Sequence, residues 1–541
     1  MNFRDGGELL VSILRSAGVD TVFGVISIHN LPLVQAVDAA LRFVPVRHEA
    51  AAVNAADGYA RARRGLGCAL TSTGTGAGNA AGSLVEALTA GSSVLHITGQ
   101  VPTTYLGQGR GFIHETRDQL GMLAAVSREA ACITTADDAA GILRRAVDQA
   151  LRAPGGPVSV EWPIDLQYAP TSGDDPVIPV PEAGEATASA VAEAAAVLRG
   201  SRRPVIWLGG GAAGAQASAR QLAELLGAAV LTSNAGRGVV PEDHPQCVGN
   251  YATTAPAQQL LDEADALISV GTHFRSNETS TYRLRLPDNH IQLDVDQGAI
   301  GRVYPAKVAL CGEAAGTLRA LVEAVGSFDP DRDWLRYVLD IRQQVRERQR
   351  SDIGVQAAVC DAVAEIAPRG TVVARDVTIA SSSWGNRLLP MHDPRDNLFA
   401  RGGGIGQGLA MGIGAACARP DDLVVVIAGD GGLAVHLGEL LTLAQERPRL
   451  VLLVFNDRGY GVLRNMQDAQ SRPRAGVDLH TPDFARLAAA VGLEYRLIDA
   501  ADQASAVLRA AAAAPGPTVV EIDLSALGPM PSLFVPPVDT P

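Results

Sequence analysis

The sequence predicts an α/β protein made of three doubly wound domains, each built on a parallel sheet. Short apolar runs alternate with amphipathic segments of helical length along nearly the whole chain, which is the pattern of strand–helix–strand units. The chain has 541 residues, more than a single hydrophobic core normally supports. Hydrophobic residues make up 47% of the chain and charged residues 19%, so each domain can bury a core of its own.

The domain boundaries follow from changes in composition. We place the first domain at residues 1–169, the central domain at 185–328 and the third at 351–530. The segment from Ala169 to Gly184 is rich in Pro, Gly and acidic residues, which is typical of a linker. A charged helix is predicted from Asp331 to Arg350. The proline-rich end, PMPSLFVPPVDTP, is expected either to be disordered or to fold over a site.

Composition and charge exclude several classes of function. The net charge is −13 with no basic cluster to offset it, so we expect no nucleic-acid partner. No apolar run approaches the length of a membrane span, and the first twenty residues have the periodicity of an amphipathic helix rather than of a signal peptide. The six cysteines are scattered without a CxxC pair, which favours free thiols. These features predict a cytoplasmic protein without a membrane partner.

One stretch, Val424 to Leu463, organises the third domain. An apolar strand ending at Ala428 turns on Gly429-Asp430-Gly431-Gly432, and a second apolar strand, Leu450 to Phe455, runs into Asn456-Asp457. Both strands of a strand–helix–strand unit point the same way, so the two turns emerge at one edge of the sheet. The carboxylates of Asp430 and Asp457 are therefore predicted to converge there. The intervening segment is predicted to be helical, with apolar positions at Leu433, Leu437, Leu440 and Leu441.

This arrangement suits a diphosphate carried on Mg²⁺. Backbone N–H groups at a glycine turn and a helix start can face phosphate oxygens, while carboxylate oxygens hold a small octahedral cation. An ordinary strand–helix–strand unit whose Asp caps the helix has the same local pattern, and a lone Gly-Asp-Gly favours that plainer interpretation. Asn456 follows Asp430 by 26 residues, a spacing that resembles the signature of thiamin-diphosphate enzymes, and this resemblance favours a cofactor.

A second glycine pattern lies in the central domain. Gly209, Gly211 and Gly214 match GxGxxG directly after a strand. A dinucleotide site would place an acid at the end of the next strand, but that strand ends in Thr232 and Ser233. Tight strand-to-helix packing is therefore the preferred interpretation, and a nicotinamide dehydrogenase is a distant alternative.

Two further segments complete a pattern. One is Arg47-His48-Glu49-Ala50-Ala51, followed by Ala56-Asp57-Gly58-Tyr59-Ala60-Arg61; the other is Gly402-Gly403-Gly404-Ile405-Gly406-Gln407-Gly408. Together with the Gly-Asp-Gly turn and the Asn-Asp pair, they resemble the thiamin-diphosphate enzymes of the acetolactate synthase and 2-oxo-acid decarboxylase superfamily, over nearly the full length. The resemblance implies pyrimidine-binding, middle and diphosphate-binding domains in that order, with thiamin diphosphate and Mg²⁺ as cofactors.

The resemblance gives Glu49 the role of the catalytic acid that hydrogen-bonds the cofactor's pyrimidine ring. A glutamate held at a helix N-terminus by the helix dipole is the plainer alternative. Ile405 takes the position of the apolar residue that bends the cofactor into a V, and the Gly403 carbonyl would accept from its amino group. A glycine-rich helix entry, with Ile405 in the core, is the alternative there.

The family's metal ligands correspond to the carboxylates of Asp430 and Asp457 and the backbone carbonyl of Gly459. Asp457 departs from the usual Asn; its extra charge favours Mg²⁺ but works against the nearby diphosphate. Asn456 is expected to be structural. The other residues expected to bind the diphosphate are Gly429, Gly431, Gly432, Tyr460 and Gly461.

The match is looser on the substrate side. His29 and His114 are the candidates for proton transfer at the reacting carbon, because imidazole titrates near neutral pH; each also suits a hydrogen-bonded structural role. The positions expected to line the substrate pocket are Ile28, Ser72, Val462, Leu463 and Met466. An apolar pocket favours a small or aliphatic 2-oxo acid.

The function predicted first is decarboxylation of a 2-oxo acid with transfer of the carbanion to an acceptor carbonyl, as in acetolactate synthases. A non-oxidative decarboxylase that releases an aldehyde is the alternative; a non-catalytic cofactor-binding subunit is a distant one, which Glu49 disfavours. FAD is not expected, because Gly271 to Asn277 does not match the family's Arg- and Asp-rich segment. The resemblance also implies a homodimer or homotetramer with active sites between subunits.

Overall fold

The computed structural model of the protein describes residues 5–171 and 183–536. Most of the predicted linker, residues 172–182, and the end of the proline-rich tail, residues 537–541, lie outside the described residues. The described strands form three six-stranded sheets in which neighbouring strands are parallel. The predicted α/β class with three parallel-sheet domains is therefore confirmed. Across the two described ranges, no helix is both long enough and apolar enough to cross a bilayer.

The first sheet contains β1 (Thr21–Gly24), β2 (Arg42–Pro45), β3 (Gly67–Thr71), β4 (Val94–Gln100), β5 (Glu129–Cys132) and β6 (Val158–Pro163). Its helices are α1 (Gly6–Ser16), α2 (Leu31–Ala40), α3 (Glu49–Arg63), α4 (Thr75–Ala90), α5 (Gln119–Val126), α6 (Ala139–Leu151) and α7 (Ile164–Tyr168). The strand order is β2-β1-β3-β4-β6-β5. A capping box between Asp5 and Glu8 begins α1, so the predicted amphipathic helix near the N-terminus is present.

The second sheet contains β7 (Pro204–Leu208), β8 (Ala229–Thr232), β9 (Cys247–Gly249), β10 (Ala266–Val270), β11 (His290–Asp294) and β12 (Val308–Cys311). Its helices are α8 (Ala188–Arg199), α9 (Gln216–Leu226), α10 (Ala255–Glu263) and α11 (Ala314–Val325). The strand order is β12-β11-β10-β7-β8-β9. The predicted charged helix follows as α12 (Arg332–Ile353).

The third sheet contains β13 (Val372–Arg375), β14 (Asn397–Phe399), β15 (Val424–Gly429), β16 (Leu450–Asn456), β17 (Glu494–Ile498) and β18 (Thr518–Asp523). Its helices are α13 (Gln356–Ile366), α14 (Gly408–Ala418), α15 (Asp430–Val435), α16 (Glu439–Glu446), α17 (Gly461–Ala469), α18 (Phe484–Val491), α19 (Ala504–Ala512) and α20 (Leu524–Leu527). The strand order is β14-β13-β15-β16-β18-β17.

The first and third sheets share one topology. In each sheet the strand that comes first in sequence lies between the second and the third, so the direction of winding reverses beside it. Ligands of open α/β sheets bind at this reversal, outside the carboxyl ends of the strands. In the third sheet, Asp376, Asp430 and Asp457 directly follow β13, β15 and β16 at this edge.

The segment between β15 and β16 differs from the prediction. The single predicted helix is instead two helices, α15 and α16, separated by residues 436–438. Leu433 and Leu440 are buried as expected, but Leu441 is 47% exposed. Gly438 has a low helix propensity, and a Cβ at this position would lie 3.5 Å from the Cβ of Arg47. A Cβ at Gly438 would thus make only an ordinary contact with the first domain, and the low helix propensity of glycine is what favours the break.

Helices α3 and α14 join the first and third domains through very close backbone contact. A Cβ added to Gly58 would lie 2.1 Å from the Met411 carbonyl oxygen, and one added to Gly414 would lie 1.9 Å from the Ala55 carbonyl oxygen. Both distances are shorter than carbon and oxygen can approach, so glycine is required on each helix.

Replacing Gly414 with Ala should therefore destabilise the protein by about 1–3 kcal/mol, because the added methyl group must push α3 and α14 apart. Thermal unfolding with two probes checks this. Gly141 on α6 is the matched control, since a Cβ there meets open space and Gly141→Ala should stabilise its helix by about 1 kcal/mol. Equal melting temperatures for Gly414→Ala and the parent protein would contradict the packing argument.

Candidate cofactor and substrate site

Two acidic residues of the third domain converge as predicted. Asp430 is 1% exposed at the end of β15. Its Oδ2 accepts from the Gly459 backbone N–H at 2.8 Å, and its Oδ1 accepts from the Asp457 N–H at 3.3 Å. The register of β15 and β16 pairs Gly429 with Phe455, so the two strands end level. Asp430, Asp457 and Gly459 therefore lie at one sheet edge.

Among the described residues, Asp457 forms one long ion pair, with Arg464, and Asp430 forms none. Burial, with the Asp430 carboxylate next, raises the pKa of Asp457 to about 6, and burial also raises the pKa of Asp430. Oδ1 of Asp457 is buried without a hydrogen-bond partner among the described residues, and Arg464 approaches it only to 3.8 Å. Desolvated carboxylates of this kind are stabilised by a cation, so the two acids fit a hard divalent ion.

The described residues contain no cluster of three or more His, Cys, Asp or Glu side chains arranged for a metal. That finding agrees with a site in which the third protein ligand is a backbone carbonyl, here that of Gly459. Such a set leaves three of the six positions of an octahedral ion to water and phosphate oxygens, and Mg²⁺ usually keeps several such ligands.

Glycines keep side chains away from this site. A Cβ on Gly461 would lie 1.7 Å from Oδ2 of Asp457, and one on Gly431 would lie 2.9 Å from both the Gly459 carbonyl oxygen and the Tyr460 ring. Glycine at these positions therefore lets residues 459–461 pack closely against the start of α15. Backbone N–H groups at a turn of this kind are suited to phosphate oxygens.

The glycine segment 402–408 is held by two carboxylates. Asp376 accepts from the Gly406 N–H at 3.0 and 3.1 Å and from the Gly408 N–H at 3.3 Å. Glu86 of the first domain accepts from two amides nearer the start of the segment, as described below. Ile405 is half-buried rather than part of the core, so the interpretation of Ile405 as an ordinary core residue does not hold.

Glu49 opens α3 at the edge of the first sheet. His48 is the residue that caps the helix, through its Nδ1 and the Ala50 N–H. The Glu49 carboxylate instead accepts from Asn79 Nδ2 on α4 at 3.0 Å. The side chain is half-buried, and its observed partner lies outside its own helix, which differs from a simple helix-dipole role.

His29 and His114 lie next to each other, with ring centroids 5.5 Å apart. His29 is 2% exposed, and its Nδ1 has no partner within the described chain. Burial, and secondly His114, lowers the pKa of His29. His114 is exposed and has a φ of +65°, a strained backbone for a residue other than glycine. The tertiary structure thus pairs two histidines that are distant in sequence.

The remaining first-domain candidates border the same edge. A Cβ on Gly76 would lie 2.7 Å from the Cβ of Ser72 and 3.0 Å from Oε1 of Glu49, so Ser72 is a neighbour of Glu49. A Cβ on Gly74 would lie 2.3 Å from the His114 carbonyl oxygen. Ile28 is 63% exposed. The loops after β1, β3 and β4 therefore meet, and the loop after β3 lies beside Glu49.

The predicted pocket residues of the third domain lie on α17. Leu463 is 49% exposed, and Val462 and Met466 are half-buried. Asn465 on the same helix donates to the Phe534 carbonyl at 2.9 Å. The described part of the proline-rich end therefore folds against α17, the helix that directly follows residues 457–460. Among the described residues, no hydrogen bond or ion pair connects this group to Glu49.

The glycine pattern of the central domain is used for packing. Gly209 donates to the Val270 carbonyl at 2.8 Å, and Gly211 donates to the Gly271 carbonyl at 3.0 Å. A Cβ on Gly209 would lie 2.1 Å from the Gly271 carbonyl oxygen. These amides are occupied by the neighbouring strand end, which supports the packing interpretation over dinucleotide binding.

Sequence reasoning missed four residues around the site: Asp376, Glu86, Asn79 and Glu439. Asp376 directly follows the strand TVVAR, so the rule that ligands bind at carboxyl ends of strands could have found it. The other three lie within helices or at a helix start. Their contacts depend on how distant elements pack, and a local pattern carries no signal for that.

Comparison with known proteins agrees with this geometry. The chain matches the thiamine pyrophosphate enzyme family, thiamine pyrophosphate being thiamin diphosphate, in three segments. These are the N-terminal TPP binding domain at residues 4–122, the central domain at 191–321 and the C-terminal TPP binding domain at 379–522.

Full-length relatives extend the match. The probable 2-ketoarginine decarboxylase AruI of Pseudomonas aeruginosa is 32% identical over 522 residues, covering 95% of this chain and 93% of the relative. The acetolactate synthase isozyme 2 large subunit of Escherichia coli is 29% identical over 538 residues, covering 97% and 96%. The probable acetolactate synthase large subunit of Methanocaldococcus jannaschii is 28% identical over 559 residues, covering 98% and 93%. The chain therefore belongs to the thiamin-diphosphate enzymes of the acetolactate synthase and 2-oxo-acid decarboxylase superfamily.

Proposed function

We propose that this enzyme uses thiamin diphosphate on Mg²⁺ to decarboxylate a 2-oxo acid and to transfer the resulting carbanion to an acceptor carbonyl. The observation that carries the proposal is the convergence of Asp430, Asp457 and the Gly459 carbonyl beside side-chain-free backbone. In this assignment Asp430, Asp457 and Gly459 hold the metal. Residues Gly429, Gly431, Gly432, Tyr460 and Gly461 surround the diphosphate.

The bound cofactor supplies a nucleophilic carbon and an acceptor for the electron pair that decarboxylation releases. The protein's part is to set the protonation of the pyrimidine ring. Glu49 would hydrogen-bond the ring nitrogen, and Asn79 fixes the orientation of its carboxylate through the 3.0 Å hydrogen bond. The Gly403 carbonyl would accept from the cofactor's amino group, and Ile405 would pack against the cofactor.

The histidine pair carries out proton transfer at the entrance of the site. His29 remains neutral at pH 7, because burial lowers its pKa, and its unpartnered Nδ1 can accept or donate a hydrogen bond to substrate. His114 is exposed next to His29. Transfer to an acceptor carbonyl generates an alkoxide that must gain a proton, and this pair can supply it.

Exposed apolar side chains beside the site favour an aliphatic substrate. They also favour an assembly in which a second subunit covers them. Ile28 and Leu463 are 63% and 49% exposed in the single chain, on the first and third domains respectively. Large apolar side chains beside a site are usually covered in the working assembly. We therefore assign the enzyme a homodimer or homotetramer in which each site combines the Glu49 edge of one subunit with the Asp430 edge of another.

Simple decarboxylation is the second candidate. The same histidine pair could protonate the reacting carbon directly and release an aldehyde. The 32% identity to a probable 2-ketoarginine decarboxylase favours this outcome as much as the acetolactate synthase relatives favour transfer.

A screen of 2-oxo acids with thiamin diphosphate and Mg²⁺ separates the two candidates. We expect CO₂ release with a product whose mass equals the decarboxylated donor joined to an acceptor carbonyl compound. Free aldehyde formed in the same amount as CO₂, with or without added acceptor, would instead show simple decarboxylation. Absence of CO₂ release from every acid while the cofactor binds would contradict both.

Replacing Glu49 with Gln should lower the turnover rate about 10²- to 10⁴-fold. The reason is that Gln lacks the carboxyl group that sets the protonation of the pyrimidine ring. Binding of thiamin diphosphate, measured by calorimetry, should change little, since the diphosphate end carries most of the affinity. Glu193→Gln, at an exposed position on α8, is the control. A fully active Glu49→Gln enzyme would refute the role.

The same variant tests the shared site. Chains with Glu49→Gln and chains with Asp430→Asn, each inactive alone, should recover about a quarter of the parent activity when refolded as an equal mixture, because half of the dimers pair unlike chains and restore one of two sites. No recovery, with mixed dimers shown by native mass spectrometry, would place each site within one chain.

Replacing Asp457 with Asn restores the residue usual in the family and should weaken Mg²⁺ binding roughly 10-fold, because one carboxylate ligand is lost. Calorimetric titration with Mg²⁺ before cofactor addition measures this. Asp468→Asn removes an exposed carboxylate paired with Arg474 at the end of α17 and should leave the affinity unchanged. Unaltered affinity in Asp457→Asn would remove Asp457 from the metal site.

A further inference from the structure

One buried carboxylate of the first domain is hydrogen-bonded to the glycine segment of the third domain. Glu86 lies on α4 and is 7% exposed. Its Oε2 accepts from the Gly402 N–H and its Oε1 from the Gly404 N–H, each at 2.6 Å. Both carboxylate oxygens are thus used on the two amides that flank Gly403. Charge-assisted bonds of this length are stronger than bonds between neutral groups.

The geometry of the peptide group makes this contact directional. The Gly404 N–H and the Gly403 carbonyl belong to the same planar peptide unit, and in a trans peptide they point in opposite directions. A carboxylate that holds the Gly404 N–H therefore aims the Gly403 carbonyl away from Glu86. Gly403 has a φ of +90°, a conformation that glycine adopts readily, so the peptide would be free to turn if the carboxylate were absent.

The other end of the segment is fixed from within the third domain. Asp376 accepts from the Gly406 and Gly408 amides. Ile405 thus lies between Gly404 and Gly406, each of which donates to a buried carboxylate. Burial raises the pKa of Asp376 to about 6, and the charge of Glu86 contributes in the same direction. The two acids therefore lie close to each other on either side of the segment.

A reciprocal contact runs from the third domain to the first. Glu439, at the start of α16, is 1% exposed. Its Oε1 accepts from the Arg47 N–H at 3.0 Å, and its Oε2 accepts from the Thr442 hydroxyl at 2.6 Å. Arg47 stands two positions before Glu49 in the turn that leads into α3. Each domain thus supplies a carboxylate to the turn that carries the other domain's cofactor-contacting group.

We propose that Glu86 is a positioning residue that sets the direction of the Gly403 carbonyl toward the cofactor's amino group, and that Glu439 is its counterpart for the turn carrying Glu49. This proposal rests on the proposed function, because it takes Gly403 and Glu49 as groups that contact a pyrimidine ring; in the proposed assembly, the Gly403 and Glu49 of one chain serve two different sites. Helix α4 connects the two, since it carries both Glu86 and the Asn79 that holds Glu49. Movement of α4 would displace both contacts at once.

A purely adhesive role is the competing explanation, in which Glu86 only holds two domains together. Glu446 provides the matched control, because it forms an ion pair with Arg42 at 2.7 Å across the same two domains, away from the glycine segment. Loss of adhesion alone predicts similar effects from Glu86→Gln and Glu446→Gln. Loss of peptide positioning predicts that only Glu86→Gln alters the segment and the chemistry.

Glu86→Gln retains the size of the side chain but sets an NH₂ group against a backbone N–H. We expect hydrogen exchange at the Gly402 and Gly404 amides to become faster in the cofactor-free protein, with little change in melting temperature. In the loaded enzyme, kcat should fall roughly 10- to 100-fold with a small change in KM, and deuterium exchange at the reactive carbon of the bound cofactor should slow in parallel. Glu446→Gln should leave all of these values at the parent level.

Glu86→Asp is the second variant, because its shorter chain keeps the charge but cannot reach both amides, and it should fall between Gln and the parent enzyme. Unchanged exchange and kcat in both variants would overturn the inference. A parent protein that fails to bind thiamin diphosphate would refute the proposed function, whereas faster amide exchange confined to the Glu86 variants would still support the positioning contact. If Glu86→Gln and Glu446→Gln behave alike, the role is adhesive.

Discussion

The site depends on two buried parallel strands, β15 and β16, that end at the same level of the sheet. Strands β15 and β16 are paired along their whole length, from Val424 with Leu450 to Gly429 with Phe455. Both are buried throughout, and an almost continuous apolar run is what a strand covered on both faces requires. A shift of this register would carry Asp430 away from the Gly459 amide. The hydrogen bonds from the Asp457 and Gly459 amides to Asp430 then hold residues 457–459 against the end of β15.

The site also requires that the first and third domains pack closely against each other. Their helices α3 and α14 touch at the backbone, which Gly58 and Gly414 permit. Two buried carboxylates then accept hydrogen bonds across the domain boundary. Glu86 of the first domain binds the glycine segment of the third, and Glu439 of the third domain binds the turn before Glu49 in the first. Burying a carboxylate is costly unless its oxygens are paired, so these contacts hold only when both turns are correctly placed.

The central domain shows how one pattern can serve packing instead of binding. Its glycines 209 and 211 donate to the ends of a neighbouring strand and leave no room for a side chain against Gly271. The first and third sheets have the same strand order as each other, while the central sheet has a different one. The shared order places the functional loops of both outer domains at equivalent edges, which is why Glu49 and Asp430 each follow a strand at its carboxyl end.

The sequence alone determined the fold class, the helical N-terminus, the convergence of Asp430 with Asp457 and the family. Those features follow from the periodicity of apolar residues, from the shared direction of the two strands in a strand–helix–strand unit, and from the spacing of motifs. Each of these signals can be recognised within a single stretch of the sequence. Only the tertiary structure decided that His29 and His114 are neighbours, that Ile405 is not a core residue, that the helix after Asp430 breaks before Gly438, and that Glu86 and Glu439 hold the turns of the opposite domain. These outcomes arise from contacts between residues distant in the chain, and such contacts depend on how the domains pack rather than on any pattern that one segment displays.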